Sequence, residues 1–452
     1  MSGWLNSYSR AFQRLLPSPM AIALTLTVVA FVSALFVSEP VEVVKAWSDG
    51  LWNPGLMRFG FQAMFMLVLG HVLALSKPVR LALNGIANIA VKKPENAATY
   101  VAIVAMLLGW VNWGLGLVAG AIIAKVVIDK KVAHAGVVGA AGYMGLLVWH
   151  SGLSGSAPLK VAEPGHLAEL FPKGLEWSTP IPNSISISET VFTSWNLGLT
   201  AVVMVAIAGL FYFLGRVVPN ENIDVAESDM DFAPEVKSVD SIASFLDYAP
   251  VLSIGFGVFT LGTALWIASN SSGATGLSFV TPDWINLLLL GLALIAHKSI
   301  AGLVGALNKA IGGAAGILLQ FPIYFGIMGV VTGTGLVDVL SASLVSATSS
   351  ETLPLAIFTS SGILNVFVPS GGGQWAVQGP LILEACNSIG MSLEKGVMAM
   401  AYGDQWTNML QPFWALPLLG ITGLKAKDIL PYTLAALLVS GVLFTVGLVL
   451  IV

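Results

Sequence analysis

Charged residues and cysteine are scarce in this chain. Only 10% of its 452 residues are charged, whereas a soluble domain carries roughly 25%, so the composition excludes an ordinary soluble domain. The single cysteine, Cys386, excludes an intramolecular disulfide bond and a cysteine-based metal cluster. A net charge of −4 gives no reason to expect nucleic acid as a partner. The sequence contains neither a His-Glu-x-x-His nor a Gly-x-Ser-x-Gly motif, so neither of these patterns points to an enzyme.

Long apolar runs are abundant instead. Hydrophobic residues make up 56% of the chain, and the mean hydropathy is +0.85. Runs of about twenty apolar residues predict an all-α polytopic protein in a lipid bilayer, not a β-barrel with short alternating segments. No small-residue cleavage site follows the first run, which we interpret as a retained helix. The segments lie at 20–37, 56–76, 97–128, 133–150, 190–216, 249–269, 284–297, 314–335, 350–385, 391–420 and 428–452.

Two of these segments have an unusual length. The segments 97–128 and 350–385 are too long for one span of about twenty residues and too short for two. Glycine and polar residues interrupt the middle of each. We interpret both as re-entrant helical hairpins whose tips are buried in protein or line a cavity, because bare backbone cannot face lipid. The predicted fold is therefore about nine transmembrane helices plus two re-entrant helical hairpins.

Basic residues predict the orientation in the membrane. If the nine full segments alternate, most Lys and Arg residues of the connecting segments fall on one side, which should be the cytoplasm. The other side holds Lys45, Lys160, Lys173 and Lys395. The N-terminus is then cytoplasmic, and the C-terminus lies on the opposite side.

The order of hairpin, interrupted helix and final helix occurs twice with opposite orientation. "GWVNWGLG" at 109–116 resembles "GILNVFVPSGGG" at 362–373, which pairs Asn112 with Asn365. Inverted repeats with interrupted helices form a midplane binding site in many secondary transporters. The predicted divisions are N-terminal scaffold helices (1–96), a first hairpin with its interrupted and following helices (97–216), a cytoplasmic linker (217–248), second-half scaffold helices (249–349), and a second hairpin with its interrupted and last helices (350–452).

Four polar clusters inside apolar sequence should meet near the midplane. They are the two hairpin tips and the breaks in the interrupted helices, with the second break at 404–408. Glycines and half-helix N-termini present N–H groups to an anion, although glycines also serve close helix packing. The absence of Arg and Lys from both tips favours a monoanion. The predicted substrate-binding residues are Asn112, Trp113, Gly114, His150, Ser151, Ser154, Asn365, Ser370, Gly371, Gly372, Gly373, Gln374, Thr407 and Asn408. Asp404, an ionisable group in an apolar segment, is the predicted group for ion or proton coupling.

Three motifs carry a resemblance to a known family: "WHSGLSGSAPL", "VPSGGGQWAVQGP" and "YGDQWTNMLQPFWALP". Nearly the whole chain resembles the short-chain fatty acid transporter family of bacterial inner membranes, which is placed in the ion transporter superfamily. The resemblance implies a homodimer in which a transport domain moves against a scaffold, an elevator mechanism. It implies a short-chain carboxylate substrate such as acetoacetate or butyrate.

The resemblance also bears on the coupling ion. In relatives, Ser-Asn-Thr motifs at both hairpin tips bind sodium and the substrate carboxylate. The tips here read Val-Asn-Trp and Leu-Asn-Val, so Asn112 and Asn365 alone carry over as candidate ion-coupling residues. Both Na⁺ and H⁺ remain open as the coupling ion, and no other cofactor is expected.

Three further functions remain open from the sequence. The first is a sodium-coupled symporter of dicarboxylates or amino-acid conjugates, which the lack of basic residues in the tips disfavours. The second is an intramembrane enzyme built on His150 and Ser151, although adjacent residues of a helix do not face each other. The third is a channel.

Overall fold

Helices make up the regular structure wherever the computed structural model describes the chain, namely residues 19–170, 181–220, 240–270, 279–367 and 371–451. The first half contains α1 (Pro19–Ala34), α2 (Pro40–Leu51), α3 (Pro54–Leu75), α4 (Lys77–Lys92), α5 (Ala97–Val111), α6 (Trp113–Asp129), α7 (Ala135–Tyr143), α8 (Ser156–Val161), α9 (His166–Glu169) and α10 (Ser194–Val217). The second half contains α11 (Ile242–Tyr248), α12 (Pro250–Asn270), α13 (Pro282–His297), α14 (Ile300–Ala310), α15 (Ala315–Gly333), α16 (Leu336–Ser346), α17 (Leu353–Phe367), α18 (Gly371–Ile389), α19 (Leu393–Thr407), α20 (Pro412–Thr422) and α21 (Ala426–Ile451). Short 3₁₀ turns lie at Pro94–Asn96, Met144–Leu147, Ile311–Ala314 and Asn408–Leu410.

The first predicted hairpin is present as α5 and α6. The chain reverses at Asn112, whose backbone is extended between the two helices. A Cβ at Gly116 would lie against the Cα of Gly109, and one at Gly120 would lie 3.0 Å from the Cβ of Ala105. These pairs are symmetric about the tip, so the two arms pack antiparallel at a distance that glycine makes accessible.

The second hairpin consists of α17 and α18. Gln374 Nε2 donates a hydrogen bond of 2.9 Å to the carbonyl oxygen of Ser361, and Ser361 Oγ donates one of 3.0 Å to Gln378 Oε1. These contacts join the two arms across the tip. The predicted site residue Ser370 belongs to the tip, 368–370, which lies outside the described residues, as does most of the predicted linker 217–248.

Both interrupted helices are present, but the second breaks later than predicted. The first passes from α7 through a 3₁₀ turn and irregular backbone before α8 begins at Ser156. The second was expected to break at 404–408, yet α19 continues to Thr407 and the break spans 408–411. Pro412 is the reason, because proline occupies the first turn of the next helix and holds Gln411 in an extended conformation (φ −97°, ψ 106°).

The two interrupted helices run antiparallel where they break. Tyr143 donates hydrogen bonds to the backbone of Asn408 and Gln411, whereas His150 contacts Asp404. The residue numbers therefore rise along the first helix while those of the contacting residues on the second helix fall, as in an antiparallel pair. Each half also follows the order hairpin, interrupted helix and long helix, the last being α10 or α21, as the predicted inverted repeat requires.

Other parts of the scaffold differ from the predicted pattern. Among the described residues, five helices are long and apolar enough to span a membrane, or six if α13 and α14, which bend by 120°, form one span. The count of about nine spans therefore stays a prediction, as do the domain boundaries. The connection predicted between the first two spans contains α2, in which a Cβ at Gly50 would lie 2.6 Å from the Cα of Gly329. The sequence pattern did not predict this close helix contact.

We expect Gly116→Ala to destabilise the first hairpin by about 1–3 kcal/mol, because the new methyl group overpacks the contact with Gly109. The apparent melting temperature of the purified protein in detergent should fall. Gly209→Ala is the matched control, since a Cβ there would have open space around it on α10. An equal melting temperature for the two variants would contradict the close packing of α5 and α6.

Candidate functional site

The tip of the first hairpin is bound to the break in the first interrupted helix. Asn112 Oδ1 accepts a hydrogen bond of 2.8 Å from the Leu115 amide and so caps α6. Two backbone amides join the tip to the break. The Trp113 amide donates a hydrogen bond of 2.9 Å to Ser154 Oγ, and the Leu153 amide donates one of 2.7 Å to the Trp110 carbonyl oxygen. Asn112 is fully buried, and its Nδ2 has no hydrogen-bond partner among the described residues. The tip therefore keeps both N–H donors of this amide unpaired in the part of the chain that the structure describes.

The asparagine of the second hairpin has a different role, because it donates to another helix. Asn365 Nδ2 lies 2.6 Å from the Asp404 carbonyl oxygen, 3.0 Å from Thr407 Oγ1 and 2.9 Å from Asn408 Oδ1. All three acceptors belong to the second interrupted helix near its break. Asn365 Oδ1 is buried without a partner within the described part of the chain. Asn365 thus holds the second hairpin to the interrupted helix of its own half, whereas in the first half Asn112 caps α6 and the Trp113 amide makes the corresponding contact.

A buried histidine–carboxylate pair joins the two interrupted helices. His150 Nδ1 lies 2.6 Å from Asp404 Oδ2, and the two side chains are 0% and 1% exposed. The amide of Ala157 donates a hydrogen bond of 3.1 Å to His150 Nε2. Since Nε2 accepts, the proton of a neutral imidazole is on Nδ1, which donates to the carboxylate. The contact with α8 therefore selects one tautomer of His150.

Gln405 strengthens the same junction, and it was missing from the predicted site residues. Its Oε1 accepts hydrogen bonds of 3.0 Å from the amides of both His150 and Ser151. Without this contact, two buried amides at the break would lack these hydrogen bonds. Its position beside Asp404 in a polar cluster was the available signal, but the sequence does not show which side chains cap a distant break.

A small cavity lies where the four clusters meet. Its volume is about 30 Å³, enough for about two water-sized groups. Its walls come from both hairpins, both interrupted helices and the scaffold, and they consist of Ala63, Trp113, Leu146, Trp149, Ser156, Phe321, Gly371, Gly372, Asn408 and Trp414. Trp149 also stacks on His150, with ring centroids 4.4 Å apart. One ring therefore separates the cavity from the histidine–carboxylate pair.

The triple glycine at the start of α18 permits close contact with aromatic rings. A Cβ at Gly371 would lie 2.6 Å from the Trp149 ring, one at Gly372 would lie 2.8 Å from Phe59, and one at Gly373 would lie 2.5 Å from Tyr324. Any side chain here would push the hairpin away from the cavity. Glycine is thus required for packing against these rings, and the same residue type would let the backbone approach a ligand.

The predicted site residues divide into two groups. Trp113, Gly371, Gly372 and Asn408 line the cavity, and the pair of His150 and Asp404 lies behind it. The others contact neighbouring structure. Gly114 lies against the Leu67 carbonyl oxygen, Ser151 is bonded to Val148 and Thr200, Ser154 holds Trp113, Thr407 donates to the Gly362 carbonyl oxygen, and Gln374 bridges the hairpin arms. The cavity walls Trp149, Ser156, Phe321 and Trp414 were not among the predicted residues.

Two solved structures have a similar fold. The chain aligns with the YdaH transporter of Alcanivorax borkumensis at a TM-score of 0.55 and 12% identity, covering 95% of this chain and 98% of that one. It aligns with MtrF of Neisseria gonorrhoeae, described with a class of antimetabolite efflux pumps, at a TM-score of 0.54 and 13% identity, covering 97% of each. At this identity the likeness concerns the fold alone.

Two relatives are similar in sequence over their whole length. One, from Escherichia coli, is 34% identical over 100% of both chains, and one from Haemophilus influenzae is 32% identical over 96% of both. Both are provisionally named short-chain fatty acid transporters. The family model described as short chain fatty acid transporter matches residues 5–451. This protein is therefore a multi-pass membrane transporter, not an enzyme, and it belongs to the short-chain fatty acid transporter family.

Proposed function

We propose that the protein carries short-chain monocarboxylates, such as acetoacetate or butyrate, across the bacterial inner membrane together with protons. The observation that carries this proposal is the buried pair of His150 and Asp404, which lies one tryptophan ring behind an aromatic cavity between the two halves. Family membership supports the substrate class, and the geometry of the site supports the choices of charge and coupling ion.

The walls of the cavity suit one carboxylate and a short apolar tail. Three indole rings and Phe321 offer apolar surface, while Ser156, Asn408 and the backbone at Gly371–Gly372 offer neutral polar groups. The lining contains no Lys or Arg among the described residues. Nearby Lys160 is ion-paired with Glu163 and adds no net positive charge. A dicarboxylate would bring a second negative charge with no cation to bind it, which favours a monocarboxylate.

Charge balance favours a proton as the coupling ion. Asp404 is fully buried, and its Oδ1 has no partner among the described residues. His150 is held neutral by the Ala157 amide, so it does not cancel the charge of Asp404. A substrate carboxylate would place a second negative charge in the same buried region, which is costly in a low dielectric. A proton taken up by Asp404 removes one of the two charges, so substrate and proton bind together.

The cavity must open for a substrate to occupy it, because its volume of about 30 Å³ is smaller than a four-carbon acid. We infer that the hairpins and interrupted helices move as an elevator against α3 and its neighbours, in a homodimer. The close contact between α3 and the first hairpin supports this proposal. A Cβ at Gly70 of α3 would collide with Asn112 Oδ1, so glycine keeps the surface between the two parts free of a side chain at that point. The distribution of basic residues supports an N-terminus in the cytoplasm and a C-terminus in the periplasm.

We expect Asn365→Ala to abolish uptake while the protein remains folded, because the second hairpin loses its hydrogen bonds to the break in α19. Loss of these buried contacts should cost about 1–3 kcal/mol of stability. Uptake of radiolabelled butyrate into proteoliposomes and the melting temperature measure the two effects. Asn88→Ala, at an exposed position on α4, is the control. Normal uptake by the Asn365 variant would show that this contact is not needed for transport.

Asp404→Asn should remove the stimulation of uptake by an inward proton gradient, because the amide no longer takes up a proton beside His150. Exchange of internal for external substrate, which needs no net proton movement, should persist. Both rates are measured in proteoliposomes at pH 5.5 and 7.5. Glu384→Gln makes the same chemical change elsewhere in an apolar segment and should leave the stimulation intact. Unchanged proton stimulation in the Asp404 variant would exclude this residue as the coupling group.

Replacement of sodium by choline distinguishes the two ions that the sequence left open. Under a proton gradient we expect the same initial uptake rate in both media, since the proposed coupling uses Asp404 and a proton. A strict requirement for sodium would favour the alternative in which Asn112 and Asn365 hold Na⁺.

A further inference from the structure

A second group of charged side chains lies between α3, α13 and the connection that follows α8. This polar cluster consists of Arg58, Lys160, Glu163, His166, Glu169 and Asp283, and it borders a pocket of about 490 Å³. Lys160 pairs with Glu163, and Arg58 pairs with Asp283. Gln62 Nε2 donates to both Glu163 (2.6 Å) and Asp283 (2.7 Å). The two ion pairs are thereby joined across the boundary between the scaffold and the first half of the predicted transport domain.

One member of the polar cluster reaches the second hairpin. Trp375 Nε1–H donates a hydrogen bond of 3.0 Å to His166 Nε2, and both residues are buried, at 0% and 1% exposure. Trp375 lies two residues after Gly373, the last of three glycines of which Gly371 and Gly372 line the proposed substrate cavity. The His166 imidazole therefore forms a hydrogen bond between the first turns of α18 and the connection of the opposite half.

The protonation state of His166 follows from its partner. An indole N–H is a donor only, so Nε2 accepts and carries no proton. The remaining proton is on Nδ1, which lies 3.5 Å from Glu169 Oε2. A proton added to Nε2 would set two donors against each other, and the contact with Trp375 would be lost. Only the neutral imidazole of His166 therefore accepts the hydrogen bond that holds the hairpin.

The charged groups around His166 oppose one another. Burial lowers the pKa of His166 below its ordinary value of 6.5, the hydrogen bond to Glu169 raises it, and Lys160 lowers it again. Glu163 on the same connection favours the charged form, while Arg58 on α3 and Asp283 on α13 face the pocket as an ion pair. The neutral form therefore prevails at pH 7, and the charged form gains as the pH falls towards the lowered pKa.

We infer that His166 is a positioning residue of the second hairpin, and that its protonation from the pocket releases Trp375 and frees the start of α18. This inference rests on the proposed function, since the freed segment is a wall of the proposed substrate cavity. It adds a second proton-sensitive contact, distinct from the pair of His150 and Asp404. Acid on the pocket side then opens the hairpin before substrate enters.

Hydrogen exchange at the amides of residues 371–379 tests the inference in the purified full-length protein. After correction for the intrinsic pH dependence of exchange, the wild-type rate should rise as the pH falls from 7.5 to 5, by at most about tenfold per unit because one proton is linked. His166→Gln should show a flat profile at the slow rate, since an amide oxygen accepts the indole N–H but does not titrate. Trp375→Phe should show a flat profile at the fast rate, because it has no N–H to donate.

The control is His71→Gln, which removes a histidine of α3 that is not part of the polar cluster and should retain the wild-type profile. Equal pH dependence in the wild type and in His166→Gln would overturn the inference, as would slow exchange in Trp375→Phe. Butyrate uptake by the same proteins separates this inference from the proposed function. Wild-type protein that shows the exchange step but carries no butyrate would contradict the substrate and leave the role of His166 standing. Wild-type protein that carries butyrate but shows no pH-dependent rise in exchange would contradict the role of His166 and leave the substrate standing.

Discussion

The hydrogen bond between His150 and Asp404 is the contact on which the centre of this structure depends. It joins two interrupted helices whose contact residues are 254 positions apart. Removal of either partner would leave a buried polar group unsatisfied, which is more costly than the net value of the bond itself. The Ala157 amide and Gln405 fix the imidazole and the backbone beside it. The break in one helix is thus satisfied by side chains of the other.

The two hairpins are held at this junction by different contacts. Asn112 uses its amide oxygen to cap α6, whereas Asn365 uses its amide nitrogen to bind the second interrupted helix. Each retains an unpaired atom in the described part of the molecule. The glycines of α18 let aromatic rings approach the hairpin backbone, and Trp149 connects the resulting cavity with His150. A change of charge at the pair therefore acts on groups that touch the proposed substrate, without an intermediate chain of residues.

His150 and His166 each connect the first half of the chain to the second, and each uses its Nε2 as a hydrogen-bond acceptor. Nε2 of His150 accepts from a backbone amide, and Nε2 of His166 accepts from an indole. Each contact is incompatible with a second proton on the ring. His150 is enclosed at the junction, whereas His166 borders a polar pocket. Of the two contacts that we propose to respond to protons, one thus lies beside the proposed substrate cavity and the other lies where the second hairpin meets the connection of the other half.

The helical class, the two hairpins, the paired asparagines and the approximate positions of both breaks could be predicted from the amino-acid sequence, because glycine, proline and hydropathy act locally. Which polar groups meet depends on contacts between distant parts of the chain, and these are visible in the folded molecule alone. Lys160 illustrates this, since the sequence assigns it only to a side of the membrane, whereas in the structure it is buried against Glu163 and over the Phe59 ring. The partnership of His150 with Asp404 depends on the antiparallel crossing of two distant helices. Local sequence patterns indicate which residues of a helix face the protein interior, but not which residues of other helices they contact there.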